Sequence, residues 1–206
     1  LPLLELIAVP YAESLARLYH QLPQADVIVV VSPTAVHMGM QYLQQAGHTL
    51  DDLAHIQWIA VGQTTQTVLQ SYGVESHVPM VETSEGMLQL PVLTGMATGS
   101  TVAFWRGEGG RLFMMQQLQS LGIHILNFIL YQRQCPQSTH QKMHEVIPQL
   151  EQTQHYVVLI SSEASWLNWL QLLQQHQHLI VRGIYFVLGQ RLTHVLNRYA
   201  AQQQCL

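Results

Sequence analysis

The chain has 206 residues, of which 48% are hydrophobic, so it is long enough and apolar enough to fold around one or two cores. Only 10% of the residues are charged, against about 25% in an average globular protein, and the formal net charge is −4. This composition excludes a disordered chain and argues against electrostatic binding of nucleic acid. The longest apolar runs, 27–31 and 156–160, are too short to cross a membrane.

The predicted elements alternate between β-branched runs and helical patterns that begin at a small polar residue. The first run, 27–31, lacks polar alternation, which is typical of a strand covered on both faces. Ser32 and Pro33 then predict the start of a helix, and Gly47 predicts its end. The same order recurs four times. A strand at 59–61 precedes a helix that ends at Gly73, and a strand at 101–105 precedes a glycine-rich loop and a helix that ends at Gly122. A strand at 156–160 precedes a helix after Ser162, and a strand at 184–188 precedes the last helix. Such alternation predicts an α/β fold with parallel sheets.

Two parts of this pattern look like copies of each other. Ser32 and Ser162 are separated by 130 residues (162 − 32), and Gly62 and Gly189 by 127 (189 − 62). We therefore expect two similar lobes. Residues 123–133 are too long for an ordinary buried strand and are predicted to cross between the lobes, with the opening strand beside them. A cleft between the lobes is the predicted ligand site.

Six short motifs follow one another along the chain, at residues 2–5, 31–36, 60–65, 106–111, 131–133 and 161–163. Taken in this order they resemble the uroporphyrinogen-III synthase family, and the resemblance covers the whole chain. It implies two similar, flavodoxin-like parallel-sheet α/β lobes, joined by a two-stranded linker, with the chain interleaved between them.

The resemblance also sets the expected domains. Residues 8–124 form an inner α/β domain, 1–7 and 125–134 form the linker strands, and 135–206 form an outer α/β domain. We expect the outer domain to be incomplete, because the family's opening strand and helix ahead of Leu1 and its closing strand and helix after Leu206 are absent from this sequence.

The activity implied by the resemblance is closure of the linear tetrapyrrole hydroxymethylbilane to uroporphyrinogen III, with loss of water and inversion of ring D. No metal or organic cofactor is expected. The two cysteines, in unrelated contexts, favour a reducing, cytoplasmic location. The implied protein is a monomer that binds this substrate and transiently contacts hydroxymethylbilane synthase. The alternative from another class is a non-catalytic two-lobed binding protein for an acidic small molecule.

Tyr131 matches the family tyrosine proposed as the general acid. A phenol keeps its proton at neutral pH and can donate it to a leaving hydroxyl. The competing explanation is a strand tyrosine that packs its ring at an interface. A proton donor would be needed by an enzyme and not by a binding protein.

The substrate carboxylates are expected to bind where amides, hydroxyls and glycines follow strands. The predicted contacts are Ser32, Gly62, Gln63, Thr64, Thr65, Arg106, Gly107, Gly109, Arg111, Ser161, Ser162, Gln190 and Arg191. Helix capping alone is the competing explanation for the serines, and a tight turn with solvated arginines is the one for 106–111. Residues 189–192 depart from the family's run of small hydroxyl residues, so 190 and 191 carry the least support.

The remaining motifs indicate no further ligand. Residues 106–111 lack the glycine spacing of a dinucleotide loop and the ending of a P-loop. His140 and His144 share a helix face, but no third ligand completes a metal site, so we expect them at the surface. Cys135 and Cys205 lie in unrelated contexts and predict neither a disulfide nor a metal site. Core packing is predicted for Trp166, Trp169 and Leu170.

Overall fold

The fold is described from a computed structural model that covers residues 1–110 and 112–203. The chain divides into two compact units. The central unit is Ala8–Gln132, and the split unit combines Leu1–Ile7 with Arg133–Leu206. The finer predicted boundaries, with 1–7 and 125–134 as linker strands, stay a prediction.

At least one helix separates each strand from the next along the described chain, as the sequence predicts. The elements from the opening strand to the end of the central unit are β1 (Glu5–Ala8), α1 (Glu13–Gln21), β2 (Val27–Val30), α2 (Pro33–Gln45), β3 (Gln57–Ala60), α3 (Gln63–Ser71), α4 (Ser84–Leu88), α5 (Pro91–Thr94), β4 (Thr101–Gly107), α6 (Phe113–Ser120) and β5 (His124–Gln134). Short 3-10 turns lie at Leu22–Gln24 and Asp51–Leu53. The elements of the split unit are α7 (Gln137–Gln152), β6 (Tyr156–Ile160), α8 (Glu163–Leu172), α9 (Gln177–Ile180), β7 (Gly183–Val187) and α10 (Gly189–Gln203).

The described strands form a five-stranded sheet in the order β1-β5-β4-β2-β3 and a two-stranded sheet of β6 and β7. β2 lies inside the larger sheet and pairs in parallel with β3 and β4. All four residues of β2 are buried, which confirms the predicted cover on both faces. The predicted α/β class with parallel sheets is also confirmed.

Side chains alternate between two core layers on the faces of this sheet. Ile28 and Trp105 pack with Tyr19 on one face, whereas Val29 and Phe104 pack on the other. Trp105 is fully buried beside Tyr19 and Trp58, with ring centroids 6.2 and 5.2 Å apart. This sheet is therefore the rigid support for the loops at its edge.

The pairing of β4 with β5 contains one irregularity. Arg106 pairs with Ile129, but Gly107 pairs with Tyr131, so Leu130 is an extra residue in the ladder. The sequence placed Arg106 and Gly107 in a loop after the strand. That boundary is wrong, because the ladder with β5 continues through the bulge and keeps both residues in β4.

The split unit repeats the strand-helix-strand-helix order of β2 to α3. β6 and β7 pair in parallel over five residue pairs, from Tyr156 with Gly183 to Ile160 with Val187. The predicted burial of Trp166 and Trp169 is confirmed, and Leu170 packs against the same core. One set of strand side chains is exposed in the structure: Val157, Leu159, Ile184 and Phe186. In the described part of the chain, no helix has the length and apolarity needed to cross a membrane.

Candidate active site

The carboxyl ends of three neighbouring strands carry the predicted motifs of the central unit. β4, β2 and β3 are parallel neighbours, so Gly107, Ser32 and Gly62 lie along one edge of the sheet. The ladder extends to this edge, since the Val61 N–H donates to the Val30 carbonyl at 3.0 Å. Ligands of parallel α/β sheets bind at such an edge.

The structure brings Ser32 and Tyr131 together, although 99 residues separate them. Their hydroxyl oxygens lie 3.0 Å apart. Ser32 is also the N-cap of α2, where its Oγ accepts a hydrogen bond from the Ala35 N–H at 3.1 Å. The predicted capping role of Ser32 is therefore confirmed, and its hydroxyl has a second neighbour that the sequence did not reveal.

The Tyr131 ring packs tightly in the central unit. Its side chain is only 2% exposed, and a Cβ added at Gly107 would lie 2.3 Å from its Cε2 atom. The backbone of Tyr131 also accepts a hydrogen bond from the Glu108 N–H at 2.7 Å. Ring packing, one of the two explanations open from the sequence, is thus observed. The catalytic role of Tyr131, and its place in a cleft between two domains, stay predictions.

A second buried tyrosine in this unit has a different environment. Tyr19 donates its hydroxyl proton to the Gly39 carbonyl at 2.9 Å. Burial, with smaller contributions from Tyr11 and Tyr42, raises the pKa of Tyr19 well above its ordinary range. Tyr19 therefore serves packing, whereas the hydroxyl of Tyr131 faces another hydroxyl.

Arg106 does not project from a solvated turn, as one sequence interpretation had it. Its side chain is 6% exposed, and its Nε donates to the Gly107 carbonyl at 3.2 Å while its Nη2 donates to the Gly109 carbonyl. This arginine holds the shape of the loop, in which Gly109 and Gly110 adopt left-handed conformations. Arg111, also a predicted contact, lies outside the described residues.

The amino end of α3 holds a carboxylate that belongs to the protein itself. The Gln63 N–H donates to Glu82 Oε1 at 2.8 Å. The same carboxylate fills the space beside Gly62, where an added Cβ would lie 2.3 Å from Glu82 Oε2. Glu82 was not among the predicted site residues, because nothing in the local sequence pattern shows that it reaches the start of a helix 19 residues earlier.

The other residues at the start of α3 differ in their exposure. Gln63 and Thr64 are exposed, and the side-chain amide of Gln63 donates to Gln66 Oε1 at 2.7 Å. Thr65 is 2% exposed and belongs to the interior of the unit. Substrate contact by any of these residues stays a prediction.

In the split unit, Ser162 is the N-cap of α8 and forms a capping box with Ser165. Ser161 is exposed and lines a pocket of about 570 Å³ with residues of the opening segment. Gln190 and Arg191 are exposed in the first turn of α10. Their predicted contacts with substrate are untested.

The structure indicates no metal centre in the part of the chain that it describes. No group of three or more His, Cys, Asp or Glu side chains is arranged to hold an ion among residues 1–110 and 112–203. His140 and His144 are exposed on α7, as expected.

Comparison with known proteins agrees with this architecture. A family model described as uroporphyrinogen-III synthase HemD matches residues 1–205. Among solved structures, a mutant uroporphyrinogen III synthase from the extremely thermophilic bacterium Thermus thermophilus aligns with a TM-score of 0.63 at 16% identity, over 91% of this chain and 74% of that chain. The wild-type protein of that organism, in another crystal form, aligns with a TM-score of 0.56 at 15% identity, over 90% and 71%. The structures share the fold, and the family match spans both units, so this chain belongs to the uroporphyrinogen-III synthase family.

Proposed function

We propose that this chain closes hydroxymethylbilane to uroporphyrinogen III, with loss of water and inversion of ring D, as an enzyme of tetrapyrrole biosynthesis. The family match over residues 1–205 carries the proposal. We further propose that it acts as a cofactor-free lyase, as a cytoplasmic monomer that receives its substrate during transient contact with hydroxymethylbilane synthase.

The reaction sets two tasks for the protein. The terminal hydroxyl must leave as water, which requires a proton, and the chain of pyrroles must be held so that the inverted closure is faster than the spontaneous one. We assign the first task to Tyr131, because its phenol is a proton donor at the sheet edge beside Ser32. The second task is positioning, which lowers barriers by about 7–11 kcal/mol in well-oriented reactions.

Substrate carboxylates are bound, in this proposal, by backbone amides and hydroxyls and not by a basic surface. The chain has 8 Lys and Arg residues against 12 Asp and Glu residues, so no large cationic field is present. The start of α3 supports such binding, since its Gln63 N–H already holds the Glu82 carboxylate. A substrate carboxylate would take the place of Glu82.

The burial of Tyr131 adds a requirement. With 2% of the residue exposed, the phenol oxygen meets substrate only after the groups that cover it have moved. A tyrosine that serves packing alone has no such requirement. The two roles are therefore separated by removing the hydroxyl and leaving the ring.

The test supplies freshly made hydroxymethylbilane and resolves the product isomers. We expect the protein to enrich type III over the type I isomer that forms without an enzyme. Tyr131→Phe should lower kcat by about a hundredfold or more while the far-UV circular dichroism spectrum stays unchanged. Tyr72→Phe, which removes the hydroxyl of an exposed tyrosine in the same unit, is the matched control. An isomer ratio equal to that without protein would favour the binding-protein alternative.

A further inference from the structure

The hydroxyl pair at the start of α2 carries an inference beyond the general acid itself, and it rests on the proposed function. We propose that Ser32 is a positioning residue for Tyr131: it fixes the phenol oxygen and donates a hydrogen bond to it when the phenol proton moves to the substrate. The sequence assigned Ser32 only to capping or to direct contact with a carboxylate.

The Ser32 hydroxyl has a proton that it can donate to Tyr131, although either oxygen of the pair can be the donor before the reaction. A serine hydroxyl has one O–H donor and two lone pairs. One lone pair of Ser32 Oγ already accepts the Ala35 N–H at 3.1 Å. The Ser32 O–H is therefore able to donate to Tyr131 Oη, 3.0 Å away. Once the phenol proton has moved to substrate, Tyr131 Oη has no proton left to donate, so Ser32 is then the donor of the pair.

The place of Ser32 on its helix strengthens this donor. α2 has 13 residues, and its amino end carries the positive end of the helix dipole. The Ala35 N–H polarises the Ser32 hydroxyl, and hydrogen bonds in such a chain reinforce one another. Negative charge on Tyr131 Oη is therefore stabilised by Ser32 and, through Ser32, by the start of α2.

The proposed step breaks one carbon–oxygen bond and moves one proton. The bond between the terminal methylene carbon and its hydroxyl oxygen breaks, and the phenol proton goes to that oxygen, so water leaves. The pyrrole nitrogen supplies electrons to the methylene carbon, which leaves a cationic azafulvene, and Tyr131 Oη carries the negative charge. A proton released by the pyrroles after ring closure restores the phenol. Ser32 keeps its own proton throughout.

Packing against β4 also holds the Tyr131 ring in place. The Tyr131 ring lies against Gly107, where even a methyl group would overlap with it. Ring and hydroxyl are thus held by two different strand ends, β4 and β2. Ser32 holds Tyr131 Oη, the one protein atom whose charge changes in the proposed step.

The experiment compares Ser32→Gly with Ser32→Thr in the type III assay. At a helix N-cap, replacing serine by glycine costs only a few tenths of a kcal/mol in stability but removes the hydroxyl. Threonine is also a good N-cap residue and keeps the hydroxyl. We expect Ser32→Gly to lower kcat about tenfold to a hundredfold with KM unchanged, because a hydrogen bond to a charged group is lost and no substrate contact is. Ser32→Thr should recover most of the rate. In a Tyr131→Phe background, Ser32→Gly should have no further effect on kcat.

Other outcomes would overturn the proposal. A raised KM with kcat unchanged would make Ser32 a substrate contact, and an equal loss of kcat in the Tyr131→Phe background would show that it does not act through the phenol.

A second readout does not depend on turnover. With tyrosines isotope-labelled at Cζ, the Tyr131 resonance, identified by its loss in Tyr131→Phe, should shift in Ser32→Gly and keep its position in Ser32→Thr. An unmoved resonance would show that the bond is absent in solution and would overturn the proposal. If the wild type gives no type III enrichment, the proposed function fails, and a shifted resonance then leaves Ser32 with a structural role only. If the wild type is active and Ser32→Gly is equally fast, the proposal fails and the function stands.

Discussion

Adding one methyl group at Gly107 should disturb both the stability and the activity of the central unit. Gly107 has no left-handed backbone conformation, so alanine meets no backbone strain there. The new Cβ would lie 2.3 Å from Tyr131 Cε2 and 2.4 Å from Cζ, and the shorter distance falls 1.1 Å short of the 3.4 Å at which ordinary contact begins. The ring is buried and has no solvent to move into.

The expected magnitude follows from two opposing effects. Overpacking a buried contact lowers the free energy of unfolding by about 1–3 kcal/mol. Replacing glycine by alanine raises it by about 0.4–1 kcal/mol, because alanine restricts the unfolded chain. We expect the free energy of unfolding to fall by about 1–2 kcal/mol in total, which lowers Tm by about 2–8 °C in a chain of this size. A ring displaced by about 1 Å also stretches the 3.0 Å contact with Ser32 beyond hydrogen-bond length, so kcat should fall.

Urea denaturation and the type III assay measure the two effects. Gly95→Ala is the matched control, because its Cβ would meet only the Pro91 carbonyl, at 3.4 Å, and its φ of −92° suits alanine. We expect the control to be neutral or slightly stabilised and to keep its activity. A Gly107→Ala variant as stable and as active as Gly95→Ala would refute the packing of Tyr131 on β4.

Three further predictions concern the central unit. Glu82→Gln should weaken the start of α3 slightly, seen as a small drop in the urea midpoint, and should lower KM for hydroxymethylbilane because a competing carboxylate is removed. Gly39→Ala should destabilise the protein by about 1–3 kcal/mol in urea despite alanine's better helix propensity, since its Cβ would lie 2.0 Å from Cε3 of the buried Trp105. Hydrogen bonds from Thr49 lower the pKa of Asp52, so the ionised carboxylate stabilises the fold above the ordinary carboxyl range of about 4. Asp52→Asn should therefore be less stable than the wild type at neutral pH, and urea titrations should show the difference vanishing as the pH falls through that range.

Local signals were enough to predict much of the fold. The apolar run at 27–31 predicted β2 to within one residue, and Ser32 with Gly47 bounded α2, because the cap and the left-handed glycine act within the chain itself. No bounds were predicted for α7, whose interior includes Pro148. Short-range chemistry therefore fixes the ends of elements better than sparse apolar patterns do.

The site depended on contacts that no local pattern contains. Ser32 and Tyr131 were both candidates, but their contact arises only from the sheet order that places β2, β4 and β5 side by side. Arg106 looked like a solvated loop residue because the strand was expected to end at Trp105. Glu82 was missed for the same kind of reason, since it lies in the loop before α4 and its partner, the Gln63 N–H, lies at the start of α3.

The bulge in β5 decides which side chain stands over Gly107. In an unbroken ladder the residue after Ile129 would take that place, and Leu130 would lie there instead of Tyr131. Phe128, Leu130 and Tyr131 all belong to one core layer, so the alternation of the strand is interrupted once, just before the phenol. Deleting Leu130 would restore strict alternation with Tyr131 still opposite Gly107, whereas inserting a residue there would displace the phenol by a step. The place of the phenol therefore depends on the number of residues in β5 and not only on their identity.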